Sequence, residues 1–236
     1  MEKQTPEVQA GQDETPATSR AWLTLAILIV VYVFNFVDRQ ILAILAERIK
    51  ADLGVSDAQL GFLYGTAFAV FYAVFGIPLG LLADIGNRRS VIAAGLGFWS
   101  LMTTLSGFAT SFPQLALARI GVGVGEAASA PAAYSMLTDL FPKRQRATVL
   151  ALYSAGIYIG SGLGLFIGAQ IVERWDRAFP AGTAPFDLVG WQVAFLVVGP
   201  PGIILAPFLL MIREPVRGAR EGLASRAAHV SPVRAA

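Results

Sequence analysis

The sequence predicts an all-α membrane protein of six spanning helices, and three observations carry that prediction. Of its 236 residues, 55% are hydrophobic and only 14% charged, with a mean hydropathy of +0.60, whereas a soluble domain carries roughly 25% charge. Six apolar stretches follow one another, each close to the ~20 residues that cross a bilayer as a helix. None alternates apolar with polar residues as a barrel strand does, and lipid offers no partner for an unpaired backbone group, so the stretches are read as helices.

Residues 1–20 are polar, with Pro6, Pro16 and four acidic residues. They read as a disordered cytoplasmic leader, since an acid-rich start and the lack of a small-residue cleavage site argue against a secretory signal. The membrane domain is expected over residues 21–215, with spans at about 22–45, 59–83, 90–110, 114–140, 147–172 and 191–212. Residues 216–236 form a basic tail without an apolar run, containing Arg217, Arg220, Arg226 and Arg234.

Twelve Lys and Arg residues flank one side of the spans and four (Arg48, Lys50, Arg174 and Arg177) flank the other. The positive-inside rule places the richer side, and both termini, in the cytoplasm of a plasma (inner) membrane protein.

Composition excludes most chemistry. There is no cysteine, hence no disulfide or thiolate site. The one histidine, His229, lies in the tail, which leaves no catalytic triad and no histidine metal site. No enzyme activity and no cofactor or metal are expected. The basic residues do not cluster on an aromatic-studded surface, so nucleic acid is not an expected partner.

Small residues recur every fourth position at Gly156, Gly160, Gly164 and Gly168 of the fifth span, and at Gly61, Gly65, Ala69 and Ala73 of the second. That spacing aligns them on one face, where backbones approach closely, so both rows read as packing faces. Pro78, Pro131, Pro200 and Pro201 lie inside spans and are expected to bend them.

Ionisable residues inside spans are the candidates for function. Each costs about 2.5–3.5 kcal/mol at the centre of a span and normally faces a protein interior or a water cavity. Asn35, Asp38 and Arg39 in the first span stand at i, i+3 and i+4, on one face. In the fourth span Arg119 and Glu126 are seven residues apart, on one face and about 10 Å from each other along the axis. Alternating glycines (Gly121, Gly123 and Gly125) thin the helix between them. That run is not a dinucleotide fingerprint: the spacing differs and no strand precedes it. Two acids, each with an arginine near it, suit a proton or substrate site, because burial and a neighbouring cation act oppositely on a carboxylate. A purely structural charge cluster is the competing reading.

Between the second and third spans the chain reads Gly80-Leu-Leu-Ala-Asp84-Ile-Gly-Asn87-Arg88-Arg89. This resembles the signature loop of the major facilitator superfamily, with Ile85 and Asn87 where that signature has Arg and Gly. Asn35-x-x-Asp38-Arg39, Gly123-Val-Gly125-Glu126-Ala127, Asp139-Leu-Phe and Gly160-Ser-Gly-Leu-Gly164 are similar to the Spinster-type branch, which includes lysolipid and sphingolipid exporters. Trp191-Gln-Val-Ala-Phe195 and Arg213-Glu214-Pro215 resemble the end of the family's six-helix amino-terminal half.

The resemblance implies a secondary transporter, with Asp38, Arg39, Arg119 and Glu126 lining a central cavity associated with proton coupling. The loop residues Gly80, Asp84, Arg88 and Arg89 would form a cytoplasmic gate. Expected partners are the bilayer, protons, a small-molecule or lipid substrate, and either a second copy or a separate second half. The alternative is a non-transporting truncated module, or a half-subunit that needs a partner polypeptide.

Overall fold

The computed structural model describes residues 16–180 and 183–218. Most of the expected leader and the tail beyond residue 218, including His229, therefore lie outside the described residues. Among the described residues the regular elements are helices: α1 (Ser19–Leu53), α2 (Asp57–Ile85), α3 (Arg88–Ser106), α4 (Phe112–Glu126), α5 (Ser129–Leu140), α6 (Lys143–Ala178) and α7 (Gly190–Leu209). Six spans result, α4 and α5 together forming the fourth.

Local chemistry sets the boundaries. Thr18 caps α1, its hydroxyl accepting the Ala21 N–H at 3.3 Å, and Gly54 ends the helix in the left-handed region at φ 63°. Ser56 and Gln59 form a reciprocal capping box at the start of α2. Asn87 caps α3 through the Ser90 N–H. With 35 residues, α1 is about 50 Å long, well beyond the ~30 Å hydrocarbon core. Its last turns, with Glu47, Arg48, Lys50 and Asp52, continue past the apolar stretch because polar side chains suit the interface.

Four helices (α1, α2, α6 and α7) are long and apolar enough to cross a membrane by composition alone. The fourth span is shared by helices of 15 and 12 residues, each too short to cross alone, and both it and the third span place polar side chains against protein. Ser100, Thr103 and Ser106 of α3 are buried, as are Arg119 and Glu126 of α4. The fourth span is also broken at Ala127–Ala128, since Pro131 in the first turn of α5 has no N–H to continue the ladder. By contrast, α7 runs through Pro200, Pro201 and Pro207, and α2 through Pro78. A π-helical turn at Phe62–Thr66 interrupts α2 near its start.

Glycines decide which helices touch. α6 lies along α1 through its glycine row: a Cβ at Gly160 would stand 2.5 Å from the Val33 carbonyl oxygen, and one at Gly164 3.0 Å from that of Val37. α3 packs along α7, where a Cβ at Gly199 would meet the Thr104 backbone nitrogen at 2.6 Å. The expected packing face of the second span behaves differently. No atom lies within 4 Å of a Cβ built at Gly61, Gly65, Gly76 or Gly80, and only 11% of the apolar window of α2 is buried, against 50% for α1. Among the described residues nothing covers the α2 row.

Two apolar cores stack along the bundle axis. One joins Leu25, Leu28, Leu96, Trp99, Met136 and Tyr153 with neighbours at the end that holds the α2–α3 loop. The other joins Ile41, Leu45, Leu115, Val172, Trp191 and Phe195 at the opposite end. Asn35, Asp38, Arg119 and Glu126 belong to neither and fall between them, so the charges form a polar layer at mid-depth.

Candidate functional site

The five span residues singled out from sequence come together. Arg39 of α1 reaches Glu126 at the end of α4, Nε donating to Oε2 at 2.9 Å. Arg119 Nη1 donates to the Asp38 backbone carbonyl at 3.3 Å. Asn35, Asp38, Arg119 and Glu126 are each no more than 3% exposed. Arg39 is the outward member, its side chain 31% exposed beside a Glu126 carboxyl that is fully enclosed.

The break after Glu126 matters here. Ending α4 at that residue places the carboxylate where the chain bends, facing α1 rather than continuing along the helix. The alternating glycines divide their contacts between two neighbours. A Cβ at Gly123 would meet the Phe68 carbonyl oxygen of α2 at 3.0 Å, and one at Gly125 the Trp99 backbone nitrogen of α3 at 2.8 Å. The thin stretch expected from sequence thus lets α2 and α3 approach α4 on opposite sides.

Aromatic rings enclose both cations. The Arg39 guanidinium lies over Phe36, Phe68 and Tyr72, at 5.1, 4.5 and 5.3 Å from their centroids, and Arg119 lies over Phe195 at 4.6 Å. These rings, which no sequence motif marks, interact with the cations through their negative faces, around a buried Arg119 and a partly exposed Arg39. Several polar atoms remain without a hydrogen bond among the described residues: Asn35 Oδ1, Asp38 Oδ1, Glu126 Oε1, and Arg119 Nε and Nη2. Buried polar groups are normally satisfied, so these five atoms set the charged layer apart from the two apolar cores on either side of it.

The loop residues separate into two groups. Arg88 is 1% exposed and ties three segments together. Its Nε donates to Glu214 at 2.8 Å, Nη1 to Asp139 at 2.5 Å and to the Ser135 hydroxyl at 2.8 Å, and Nη2 to the Pro215 carbonyl at 2.9 Å. Glu214 also accepts the Arg89 backbone N–H at 3.0 Å, which places a carboxylate on the N-terminus of α3. Arg89 itself reaches the Leu210 and Ile212 carbonyls. Asp84 and Gly80 do not join this knot: Asp84 is exposed and has no ion pair among the described residues. Asp139 and Glu214 were visible in sequence only as parts of family-like motifs; the fold makes them the counter-ions of Arg88.

A six-span helical bundle with a buried charge layer at mid-depth and a charge knot at one end is an integral membrane protein of the all-α class. Residues 28–236 match the family model of the Major Facilitator Superfamily, and the chain belongs to that superfamily. It is 36% identical over 193 residues to an MFS-type efflux pump of Mycolicibacterium smegmatis, covering 82% of this chain and 42% of that protein. It is 31% identical over 201 residues to Protein spinster of Drosophila melanogaster, covering 85% and 31% respectively. A D-galactonate transporter of Escherichia coli is 30% identical over 199 residues, covering 84% and 43%. The fold agrees with the crystal structure of a bacterial homolog of the human lysosomal transporter Spinster in an inward-facing, occupied conformation. That pair has a TM-score of 0.80 at 35% identity, covering 87% of this chain and 47% of the other. The chain spans less than half the length of each of these relatives, and it corresponds to their amino-terminal six-helix half.

Proposed function

We propose that this chain is the amino-terminal half of a proton-coupled secondary transporter for a small organic or lipid-like substrate. The observation that carries the reading is the mid-depth layer, in which Arg39 joins α1 to Glu126 of α4 while Asp38 and Arg119 lie buried beside them. An arginine held by a carboxylate is a natural exchange point: protonating Glu126 would release the Arg39 guanidinium, which faces outward, for an anionic group. The aromatic rings around it suit an apolar portion of the same ligand. Relatives named as efflux pump, galactonate transporter and Spinster support organic-anion or lipid-like cargo without choosing between them.

The test uses ligand-induced thermal stabilisation by D-galactonate and by a lysophospholipid, recorded from mildly acidic to mildly alkaline pH. Stabilisation by one of them should vary with pH, and Asp38→Asn or Glu126→Gln should flatten that variation. Variants that lower thermal stability yet leave the pH dependence intact would assign the layer a purely structural role.

A second reading has its own observation. The small-residue row on α2 and the exposed Asp84, neither of which has a partner among the described residues, favour a half-subunit whose α2 face is completed by a further polypeptide segment. The two readings are compatible, and the second fixes what the first needs in order to transport.

For orientation, the basic asymmetry supports a cytoplasmic placement of the Arg88 knot in a plasma membrane. The chain has no cysteine, so single cysteines report cleanly. Cysteines at Asn87, in the α2–α3 loop, and at Gln145, in the first turn of α6 at the same end, should react with impermeant reagent only from the cytoplasm. One at Thr183, in the α6–α7 loop, should react only from outside, and labelling of Thr183 from the cytoplasm would reverse the orientation.

A further inference from the structure

The third span closes the buried layer on the side away from α2, and it does so with two polar side chains. Trp99 and Thr103 are both 0% exposed and stand one turn apart on α3, on one face. They reach the layer because α3 and α4 cross almost backbone to backbone. A Cβ at Gly95 would lie 2.6 Å from the Gly125 carbonyl oxygen, and one at Gly125 2.8 Å from Trp99 Cβ. The glycine preceding Glu126 is therefore what admits the Trp99 side chain beside the acids, and both Trp99 and Thr103 neighbour the Asp38 carboxyl.

Their hydrogen-bonding state is unusual for this helix. Thr104 and Ser106 spend their hydroxyls on the carbonyls one turn back, Ser100 O at 2.8 Å and Met102 O at 3.0 Å, the ordinary fate of such residues in a span. Thr103 does not: its Oγ1, the Trp99 Nε1 and the Asp38 Oδ1 are all buried without a hydrogen-bond partner among the described residues. An acceptor and two donors thus meet in one place, each close to a bond it has not formed. Leaving such groups unmade in a buried setting is unfavourable, so a small shift of α1 against α3 that closes them is favourable.

We propose that Trp99 and Thr103 are positioning residues for Asp38: the indole N–H and the hydroxyl are the donors that hold its carboxyl on the α3 side of the layer. Each acid then has its own set of donors. Glu126 is held by Arg39, with Asn35 beside it, whereas Asp38 is held by Trp99 and Thr103. The other charged and titratable groups facing Asp38 are Glu126 and Arg119 of α4, with Arg39 next to it on α1 and Tyr64 of α2 beyond Arg119. This inference rests on the reading that Asp38 exchanges a proton.

The experiment is infrared difference spectroscopy of the full chain in lipid nanodiscs between acidic and alkaline pH, with protons as the only ligand. The carboxyl C=O band of Asp38 is assigned by its loss in Asp38→Asn, and that of Glu126 by its loss in Glu126→Gln. Thr103→Val keeps the side-chain shape and removes the donor. It should move the Asp38 band to higher frequency and displace its pH midpoint by about half a unit or more, with the Glu126 band unchanged. Thr103→Ser should restore both values, and Trp99→Phe should move the Asp38 band in the same sense as Thr103→Val. An Asp38 band that titrates but is untouched by Thr103→Val and Trp99→Phe, even with lowered thermal stability, overturns this inference alone and leaves the proton site standing. If no band lost in Asp38→Asn titrates in the unsubstituted chain, the proton-site reading falls, and this inference with it.

Discussion

Arg88→Ala should cost the bundle about 3–5 kcal/mol, the range for removing one partner of a buried ion pair. The effect is large because one guanidinium on α3 serves four acceptors on two other segments: Glu214 and the Pro215 carbonyl after α7, and Ser135 and Asp139 of α5. Without it, two carboxylates at the start of α3 face each other uncompensated. Arg88→Lys should recover only a minority of the loss, since an ammonium is a single point and cannot span acceptors that a planar fork reaches together. Asp139→Asn should be milder than Arg88→Ala, as Glu214 still neutralises the arginine. The measurement is the thermal midpoint of detergent-purified protein, followed by the monodisperse fraction after heating. A midpoint for Arg88→Ala within a degree or two of the unsubstituted chain would mean that water solvates the knot, in which case its ion pairs are worth little.

Much of this architecture was legible in the sequence because membrane folding rules are blunt. An apolar run of about 20 residues has one structural solution in lipid, so the apolar stretches alone mark all six spans. Their ends are not marked, because α1 and α6 continue as polar helix into the interface, where hydropathy gives no signal. The break at Ala127–Ala128 was half legible: Pro131 announced a bend, but not that the bend would follow Glu126 directly. In the site, i+3 and i+4 spacing grouped Asn35, Asp38 and Arg39, and heptad spacing put Arg119 and Glu126 on one face. The cross-helix pairing was beyond reach. That Arg39 takes Glu126 while Asp38 is left to α3 depends on helix rotation, which the glycine contacts of α4 determine and no local pattern encodes. Trp99 and Thr103 were missed for a related reason: a tryptophan and a threonine in a span look like ordinary packing until a facing glycine brings them up to a carboxylate.

The two glycine rows, which looked alike in sequence, should respond oppositely to substitution. At Gly160 a Cβ would stand 2.5 Å from the Val33 carbonyl oxygen and 2.7 Å from Phe36 Cβ. Both lie on the helix that carries Asp38 and Arg39, so relief requires moving α1 away from α6. Overpacking by even a methyl costs about 1–3 kcal/mol, and Gly160→Leu should leave little folded protein in the membrane. At Gly65 nothing lies within 4 Å of a Cβ, so Gly65→Leu should leave expression and thermal midpoint of this chain nearly unchanged, as should Gly61→Leu. The same two substitutions become informative when the chain is extended by a second six-span half, as in relatives about twice its length. If that half closes on α2 by backbone approach, Gly65→Leu should there reduce stability or transport sharply while still being silent in the short chain. Equal tolerance in both contexts would show that the row faces lipid in each, and the half-subunit reading of the α2 face would be lost. A loss already present in the short chain would instead reveal that α2 packs against a second copy of this chain.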